Sequence, residues 1–263
     1  MDRTSSTGPG LSCPGPKQKE NATMPGNGTG GTAVTRSTLR QQIADALRDE
    51  VLAGRLAPGQ EFTVREIADQ YGVSATPVRE ALVDLSAQGL LDSDQHRGFR
   101  VHRFSVGDFR TMVRARALVL DGVLRGGEYV RVSFDVPTLM AVRRRAEEAA
   151  RAARAGDLDI LIGYDLRFWR ELGAALDNAC IADFLHRLRV QTWVFAVPHL
   201  RADPAAPAWL WDGHERIVDA VTRGDAEGMR SEIQSYDAQA LAWADHLDAD
   251  AGPDPAGEGP VRG

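Results

Sequence analysis

The sequence predicts a mainly α-helical protein, with an N-terminal winged helix-turn-helix followed by an all-helical bundle of six or seven helices. Two observations lead to this prediction. Apolar residues recur at helical spacing through most of the chain. Short apolar runs that flank a polar turn, the pattern of a small β-hairpin, stand out only around residues 90–101. The 263 residues are 43 % hydrophobic and 26 % charged, which is ordinary for a globular protein of one or two domains.

The two ends of the chain differ in composition from its middle. Residues 1–36 are rich in Gly, Pro, Ser, Thr and Asn, and residues 249–263 are similarly poor in large apolar side chains. Such segments bury too little surface to offset their ordering entropy, so we predict two disordered tails. Between them we predict the winged helix-turn-helix over 37–104 and the helical domain over 105–248.

The first two helices of the N-terminal domain have clear periodicity and end signals. The first is predicted over 38–54 and ends at Gly54. Its apolar stripe is Leu39, Ile43, Leu47, Val51 and Leu52. Thr63 and Glu66 fit a capping box at the start of the second helix. Gly72 is expected to end that helix.

A third helix and a hairpin complete the predicted winged helix-turn-helix. The helix begins at Ser74 or Thr76, and Gly89 stops it. Two short helices joined by about three residues match a helix-turn-helix. Residues 90–91 and 99–101 then flank a polar turn, which predicts the hairpin of the wing.

Residues 105–248 show helical periodicity and no persuasive strands, which predicts a helical bundle. Breaks are expected at 126–127, 156–157, near 177–178, at 198–207 and at 224–225. Helix caps are expected at Ser105, Asp135, Asp157 and Asp225.

Cysteine count, hydropathy and charge exclude several classes of protein. Cys13 and Cys180 are the only cysteines and lie far apart, so no disulfide framework or zinc cluster is predicted. No window resembles a transmembrane helix, and the N-terminus does not resemble a secretory signal. We therefore expect a cytoplasmic protein with no membrane partner. The net charge of −6 means that any nucleic-acid site must be local.

The third helix and the wing carry the residue types that read DNA. Thr76 and Arg79 lie on the exposed face of the helix, and an arginine there can bridge O6 and N7 of guanine. Ser74 or Thr76 at the helix N-terminus can bind a phosphate. Arg97, just before Gly98, lies at the tip of the wing, where it can enter the minor groove. Because acidic residues slightly outnumber basic ones over 37–104, a winged helix that contacts protein is the alternative.

The residues of this region resemble the GntR family of bacterial transcription regulators. The resemblance rests on FTVREIA at 62–68 and GVSATPVREAL at 72–82. Further matches are Leu85, Gly89-Leu90-Leu91 and Arg97-Gly98. One departure is Ala75, where the family usually has arginine, so we expect a different operator from the commonest one.

The resemblance implies that Arg65, Thr76 and Arg79 contact DNA and that Gly98 belongs to the wing. Arg65 also has a simpler interpretation, as a solvated side chain or one that is ion-paired within its helix.

The second block resembles the C-terminal FCD domain of FadR-type GntR regulators, through Asp165-x-x-Phe168, Asn178 and the segment 214–225. Many such domains bind a divalent metal through Asp and His four residues apart, a second His on a later helix, and a third His 22 residues beyond. Here Asp165 and His214 are present, but Trp169 and Tyr236 replace the other two. An indole N–H cannot ligate a cation, so we predict no metal and no cofactor.

Instead, we predict a small organic effector in the same cavity. Its candidate contacts are Arg116, Asp165, Trp169, Arg189, His214 and Tyr236. An anionic ligand could face Arg116 or Arg189, although Asp165 would oppose it. Alternatively, Trp169 and Tyr236 simply fill the cavity.

Three further histidines could in principle replace the missing ligands. They are His186, His199, which we place in a loop after its helix, and His246. Each is interpreted as a surface or packing residue.

The predicted function is that of a sequence-specific regulator, most simply a repressor. It acts as a homodimer on a double-stranded DNA operator, with affinity modulated by the effector. The main alternative is a DNA-binding dimer whose bundle senses nothing. An enzyme is disfavoured, because the sequence has no nucleophile elbow, phosphate loop or dinucleotide fingerprint.

Overall fold

The computed structural model describes residues 31–94, 98–125, 134–176 and 178–251. Its N-terminal part contains three helices and a small sheet, and its remainder is helical, which confirms the predicted fold class. The N-terminal elements are α1 Gly31–Leu52, β1 Glu61–Phe62, α2 Val64–Tyr71, α3 Ala75–Ala87, β2 Leu91–Asp94 and β3 Gly98–Val101.

The wing is a three-stranded antiparallel sheet in the order β1-β3-β2. The predicted hairpin is β2 and β3, in which Leu91 pairs with Val101. Strand β1, whose Phe62 pairs with Phe99, was not predicted from the sequence. Two residues are too few to show an alternating pattern, and β1 exists only because β3 offers it hydrogen bonds.

The predicted capping signals are present around α2. The Thr63 hydroxyl accepts from the backbone N–H of Glu66 at 3.2 Å, and the Glu66 carboxylate accepts from the Thr63 N–H at 2.7 Å. Gly72 ends α2 in the left-handed region, with φ 65°. Ser74 precedes α3 in extended backbone, and its side chain makes no capping hydrogen bond.

Six α-helices and one 3₁₀ helix form the C-terminal part of the described residues, within the predicted six or seven. They are α4 Val106–Arg125, α5 Val136–Ala155, α6 Leu158–Ala174, α7 Ala179–Ala202, the 3₁₀ helix Ala206–Trp209, α8 His214–Arg223 and α9 Ala226–Ala251. The four expected caps are confirmed, because each side chain accepts from a backbone N–H three residues later. They are Ser105, Asp135, Asp157 and Asp225.

Both predicted tails are longer than the structure allows. Helix α1 already begins at Gly31, and α9 continues to Ala251, so 31–36 and 249–251 are helical rather than disordered. No Gly or Pro interrupts the chain between Gly31 and α1's end, and the first breaker after α9 is Gly252. The rest of both predicted tails and the break at 126–127 lie outside the described residues.

The predicted break at Pro198 is wrong, because α7 runs through it. Proline costs a helix one hydrogen bond, but Val197 and Leu200 on either side are buried, and their packing keeps the helix continuous. His199 therefore lies in α7 and not in a loop. The helix ends instead at Ala202, just before Asp203 and Pro204.

Helix α7 joins the two halves of the structure. Its Val190, Val194 and Val197 belong to the same buried cluster as the cores of α1 and α3. The amide of Gln191 donates to the backbone carbonyl of Gln88 at 2.7 Å, next to the end of α3. Among the described helices, none combines the length and the apolar character needed to cross a lipid bilayer.

Candidate DNA interface and effector cavity

An open cleft separates α2 and the start of α3 from the wing. Arg65, Ala75, Arg79 and Gly98 all contribute to its walls, so the structure brings three of the sequence-predicted DNA contacts to one surface. Asp69 also lines this cleft. The cleft is therefore not uniformly basic. Its capacity to contact DNA depends on which arginines are free of partners within the protein, and not on its net charge.

Arg79 is the most available of these arginines. Its side chain is exposed on α3 and makes no hydrogen bond or ion pair with any residue that the structure describes. Arg65 differs, because its Nε lies 3.7 Å from the Asp69 carboxylate one turn along α2, as the simpler interpretation expected. That pair is weak, since the Arg65 side chain is 91 % exposed.

Ser74 and Thr76 are exposed at the N-terminus of α3. Because the Ser74 side chain makes no capping hydrogen bond, its hydroxyl is available to an anion at the positive end of the helix. Ala75 lies on the cleft wall between them, at the position where the GntR resemblance calls for arginine.

The wing depends on glycine at position 98. Gly98 has φ 102°, and a Cβ there would lie 2.6 Å from the carbonyl oxygen of Phe62 on β1. A side chain would therefore push the strands apart. Arg97 lies outside the described residues. Arg100 on β3 is partly neutralised by Asp92, 3.4 Å away.

Asp165 on α6 is the polar centre of the C-terminal domain, and it is almost fully buried. Its Oδ1 accepts from the indole Nε1 of Trp169 at 2.9 Å and lies 2.9 Å from Nε2 of His214. Its Oδ2 accepts from Nε1 of Trp193 at 2.7 Å. Three N–H donors on three elements therefore hold one carboxylate.

These donors and a nearby cation keep the carboxylate charged. Burial by itself raises the pKa of Asp165, but His214, the positive charge of Arg189 and the Trp193 N–H outweigh it. The pKa of Asp165 is therefore held below its usual value.

The residues around Asp165 do not fit a divalent metal. Trp169 stands where the resemblance to the FCD domain calls for a histidine ligand, but its indole N–H has no lone pair to offer a metal and instead donates to Asp165. The N–H donors occupy both oxygens of Asp165. Within the described ranges no group of three His, Cys, Asp or Glu side chains is placed to hold an ion.

The other histidines lie in different surroundings. His199 stacks on Phe195, and His246 stacks on Trp209. His186 lies on α7 near Arg170 and Arg48, and its burial, together with these cations, lowers its pKa to about 4.

Two arginines are buried beside this centre. Arg116 on α4 donates from Nε and Nη2 to Oδ1 of Asp237 on α9, at 3.0 and 2.5 Å, and its guanidinium lies over the Tyr236 ring. The Arg189 guanidinium lies 3.6 Å from the centroid of the Trp169 ring. The pKa of Arg189 is lowered to about 10, mainly because the side chain is buried and secondly because the positive charge of Arg116 is near.

A cavity of about 70 Å³ opens next to the polar centre. Of the six predicted effector contacts, Arg116, Asp165, His214 and Tyr236 line it, whereas Trp169 and Arg189 do not. Trp169 packs beside Asp165, and an open volume is also lined by Asp165. The binding of an effector in that volume stays a prediction.

Tryptophans form much of the cavity wall. The four that line it are Trp193, Trp209, Trp211 and Trp243. These four residues were not predicted to belong to the site. A signal was present in the sequence, since all five tryptophans of the chain lie between 169 and 243. Asp237, which holds Arg116, was also missed.

Comparisons with known proteins agree with both parts of this architecture. Residues 39–101 match the family described as "Bacterial regulatory proteins, gntR family", and residues 134–238 match the "FCD domain". The chain is 31 % identical, over 74 % of its length and 83 % of the relative, to the "Probable D-xylose utilization operon transcriptional repressor" of Paenarthrobacter nicotinovorans. It is 22 % identical to the HTH-type transcriptional regulator YdhC of Bacillus subtilis, over 74 % of this chain and 86 % of that one.

Solved structures share the fold. E. coli McbR/YncC superposes with a TM-score of 0.64 at 23 % identity, covering 80 % of this chain and 98 % of that one. A GntR protein from Rhodococcus sp. RHA1 has a TM-score of 0.60 at 20 % identity, with the same coverage. At these identities the likeness concerns the fold alone.

Proposed function

The chain belongs to the GntR family of bacterial transcription regulators and carries an FCD domain, and from this membership we propose that it is a cytoplasmic, homodimeric repressor. Its winged helix binds a double-stranded DNA operator, and a small organic effector in the tryptophan-lined cavity changes the affinity for that operator. The family is one of transcription regulators and not an enzyme class. The observation that carries the regulatory part of the proposal is the position of α7.

Helix α7 contacts both the DNA-binding domain and the cavity. Val190, Val194 and Val197 pack into the core of the DNA-binding domain. Thr192, on another face of the same helix, lines the cavity, and Trp193 both lines the cavity and packs against that core. Because packed helices shift as rigid units, a ligand that moves α7 also moves the surface on which the DNA-binding domain rests.

A hydrogen bond also joins α7 to α3, the proposed recognition helix. The Gln191 amide on α7 donates to the carbonyl of Gln88, the residue that caps the C-terminus of α3. Arg48 on α1 donates to the Gln88 side chain at 3.1 Å. Gln88 therefore joins the recognition helix to the sensing domain and to α1.

The test uses an operator selected from random DNA by the full-length protein, followed by a panel of metabolites added to the complex. We expect at least one compound to change operator affinity. Gln191→Ala should leave affinity for the operator and the compound nearly unchanged, but reduce the effect of one on the other by roughly 3- to 10-fold. Fluorescence anisotropy of labelled operator, with and without compound, measures this coupling.

The matched control is Gln234→Ala on the exposed face of α9, which should leave the coupling intact. A Gln191→Ala protein with wild-type coupling would contradict the proposed route through α7. If no compound alters operator binding, the bundle is a non-sensing dimerisation domain.

A homodimer is proposed because one winged helix covers a half-site, and specific operators usually present two half-sites. Large apolar side chains on α4 and α5 are available for self-association. Leu118 is 76 % exposed, and Val136 and Met140 are similarly exposed.

We expect a dimer at micromolar concentration in sedimentation equilibrium. Leu118→Glu should weaken it by roughly tenfold or more, since symmetry removes the buried leucine twice. Ile160→Glu, a change at an exposed apolar residue of α6, is the control and should leave the dimer intact. A wild-type protein that sediments as a monomer with and without DNA would overturn the homodimer.

A further inference from the structure

We infer that the cavity of the helical domain selects an uncharged, hydroxyl-bearing ring compound of about monosaccharide size. The inference rests on the proposed function, because it names the chemical class of the effector that function requires. Three features of the cavity wall support it: its charges already have partners, its walls are aromatic, and several of its buried polar atoms lack a hydrogen-bond partner.

The charges that line the cavity are compensated within the protein. Arg116 is held by Asp237 through two hydrogen bonds, and Asp165 is held by three N–H donors. An anionic ligand would compete with Asp237 for Arg116 and would face Asp165. A cationic ligand would face Arg116, with Arg189 close behind. Adding an uncompensated charge to a buried site is costly, so a neutral ligand is favoured.

The aromatic walls suit the faces of a ring. Trp193, Trp209, Trp211 and Trp243 line the cavity together with Tyr236. Indole faces pack well against flat or weakly polar ring faces. The positions for a cation over the Trp169 and Tyr236 rings are already taken by Arg189 and Arg116. The volume of about 70 Å³ exceeds the space of one water several-fold, which limits the ligand to a small molecule.

Three residues that line the cavity have a buried nitrogen without a partner among the described residues. They are the indole nitrogens of Trp211 and Trp243 and Nδ1 of His214. Nε2 of His214 faces the Asp165 carboxylate at 2.9 Å, which leaves Nδ1 as the ring nitrogen without a partner.

The two indole nitrogens are N–H donors, which are costly to leave unpaired. A ligand hydroxyl can accept from an indole without bringing a charge into the site. A carboxylate can also accept, but it adds a negative charge beside Asp165. Among ring compounds, a neutral polyol thus matches both the polar atoms and the charge of the site.

The test compares one carbon skeleton in three charge states against the full-length protein. The probes are D-glucose, D-glucuronate and D-glucosamine, which all keep the sugar ring, followed by a panel of neutral pentoses and hexoses with their uronates and amino sugars. Isothermal titration and quenching of tryptophan fluorescence measure binding. We expect at least one neutral sugar to bind at least tenfold more tightly than its charged counterparts.

Two variants test the unpartnered nitrogens. Trp211→Phe and Trp243→Phe keep an aromatic ring but remove the N–H, and each should weaken binding of the neutral sugar roughly five- to tenfold. The matched control is Tyr71→Phe, which removes an unpartnered buried hydroxyl in the DNA-binding domain and should leave sugar affinity unchanged. Thermal unfolding establishes that the variants are folded, and the charge series on the unmodified protein does not depend on them.

Tighter binding of a uronate or an amino sugar than of every neutral sugar would overturn the inference. So would the absence of sugar binding when another class of metabolite releases the operator, a result that leaves the proposed function standing. If no compound of any charge alters operator binding, both the inference and the effector part of the proposed function fail.

Discussion

Replacing Arg79 with alanine is expected to abolish specific operator binding while leaving the fold intact. The guanidinium lies exposed on α3, lines the cleft beside the wing, and has no partner among the described residues that the substitution would orphan. An arginine that bridges guanine contributes about 1–3 kcal/mol per half-site. A symmetric dimer loses this contribution twice, so we expect operator affinity to fall by roughly 30-fold to more than 1,000-fold.

Fluorescence anisotropy with the selected operator and with a random duplex separates specific from non-specific binding. Arg79→Lys is the informative companion, because lysine keeps the charge but loses the planar pair of donors. It should bind random DNA like the unmodified protein and bind the operator far more weakly. Arg223→Ala, at the exposed end of α8, is the control for loss of a surface charge. An Arg79→Ala protein with full operator affinity would refute the assignment of α3 as the recognition helix.

The N-terminal domain was predictable because its signals are local. The capping box of Thr63 and Glu66, the left-handed Gly72 and the start at Ser74 are each set by residues within four positions of one another. Local hydrogen bonds and backbone preferences depend little on the rest of the chain. These are also the residues that align the side chains predicted to contact DNA, so Arg79 could be placed on its exposed face from sequence.

Predictions failed where contacts distant in sequence decide the structure. Strand β1 has two residues and depends on β3, and α7 passes Pro198 because its flanking residues are buried in the core. The start of α1 at Gly31 was missed for a different reason, which is local and not tertiary. A composition typical of disorder was extended over a segment that contains no helix breaker.

The centre of the cavity was predictable only in part. Asp165 and His214 followed from the resemblance to the FCD domain, and they do meet at 2.9 Å. Trp193 lies 28 residues from Asp165, and Asp237 lies 121 residues from Arg116, so neither partnership leaves a periodic signal in the sequence. The contacts that replace a metal site thus arise from tertiary packing of tryptophans and arginines.

Replacing Asp237 with leucine is expected to lower the free energy of unfolding by about 3–5 kcal/mol. The substitution leaves the Arg116 guanidinium buried between α4 and α9 without its hydrogen-bonded carboxylate. A buried cation without a partner loses its hydration and gains no attraction in return. Urea unfolding followed by circular dichroism measures the change, which is a large share of the ~5–15 kcal/mol stability of a typical domain.

The double variant Arg116→Met with Asp237→Leu distinguishes loss of the ion pair from loss of packing. It removes both charges and leaves no buried ion without a partner, so it should recover most of the stability that Asp237→Leu loses. Asp219→Leu applies the same substitution to the exposed pair with Arg143 that joins α5 and α8, and it should cost no more than about 1 kcal/mol. Equal losses for Asp237→Leu and Asp219→Leu would mean that the Arg116–Asp237 pair is hydrated in solution. Equal losses for the single and double variants would mean that packing, and not the unpaired guanidinium, accounts for the effect.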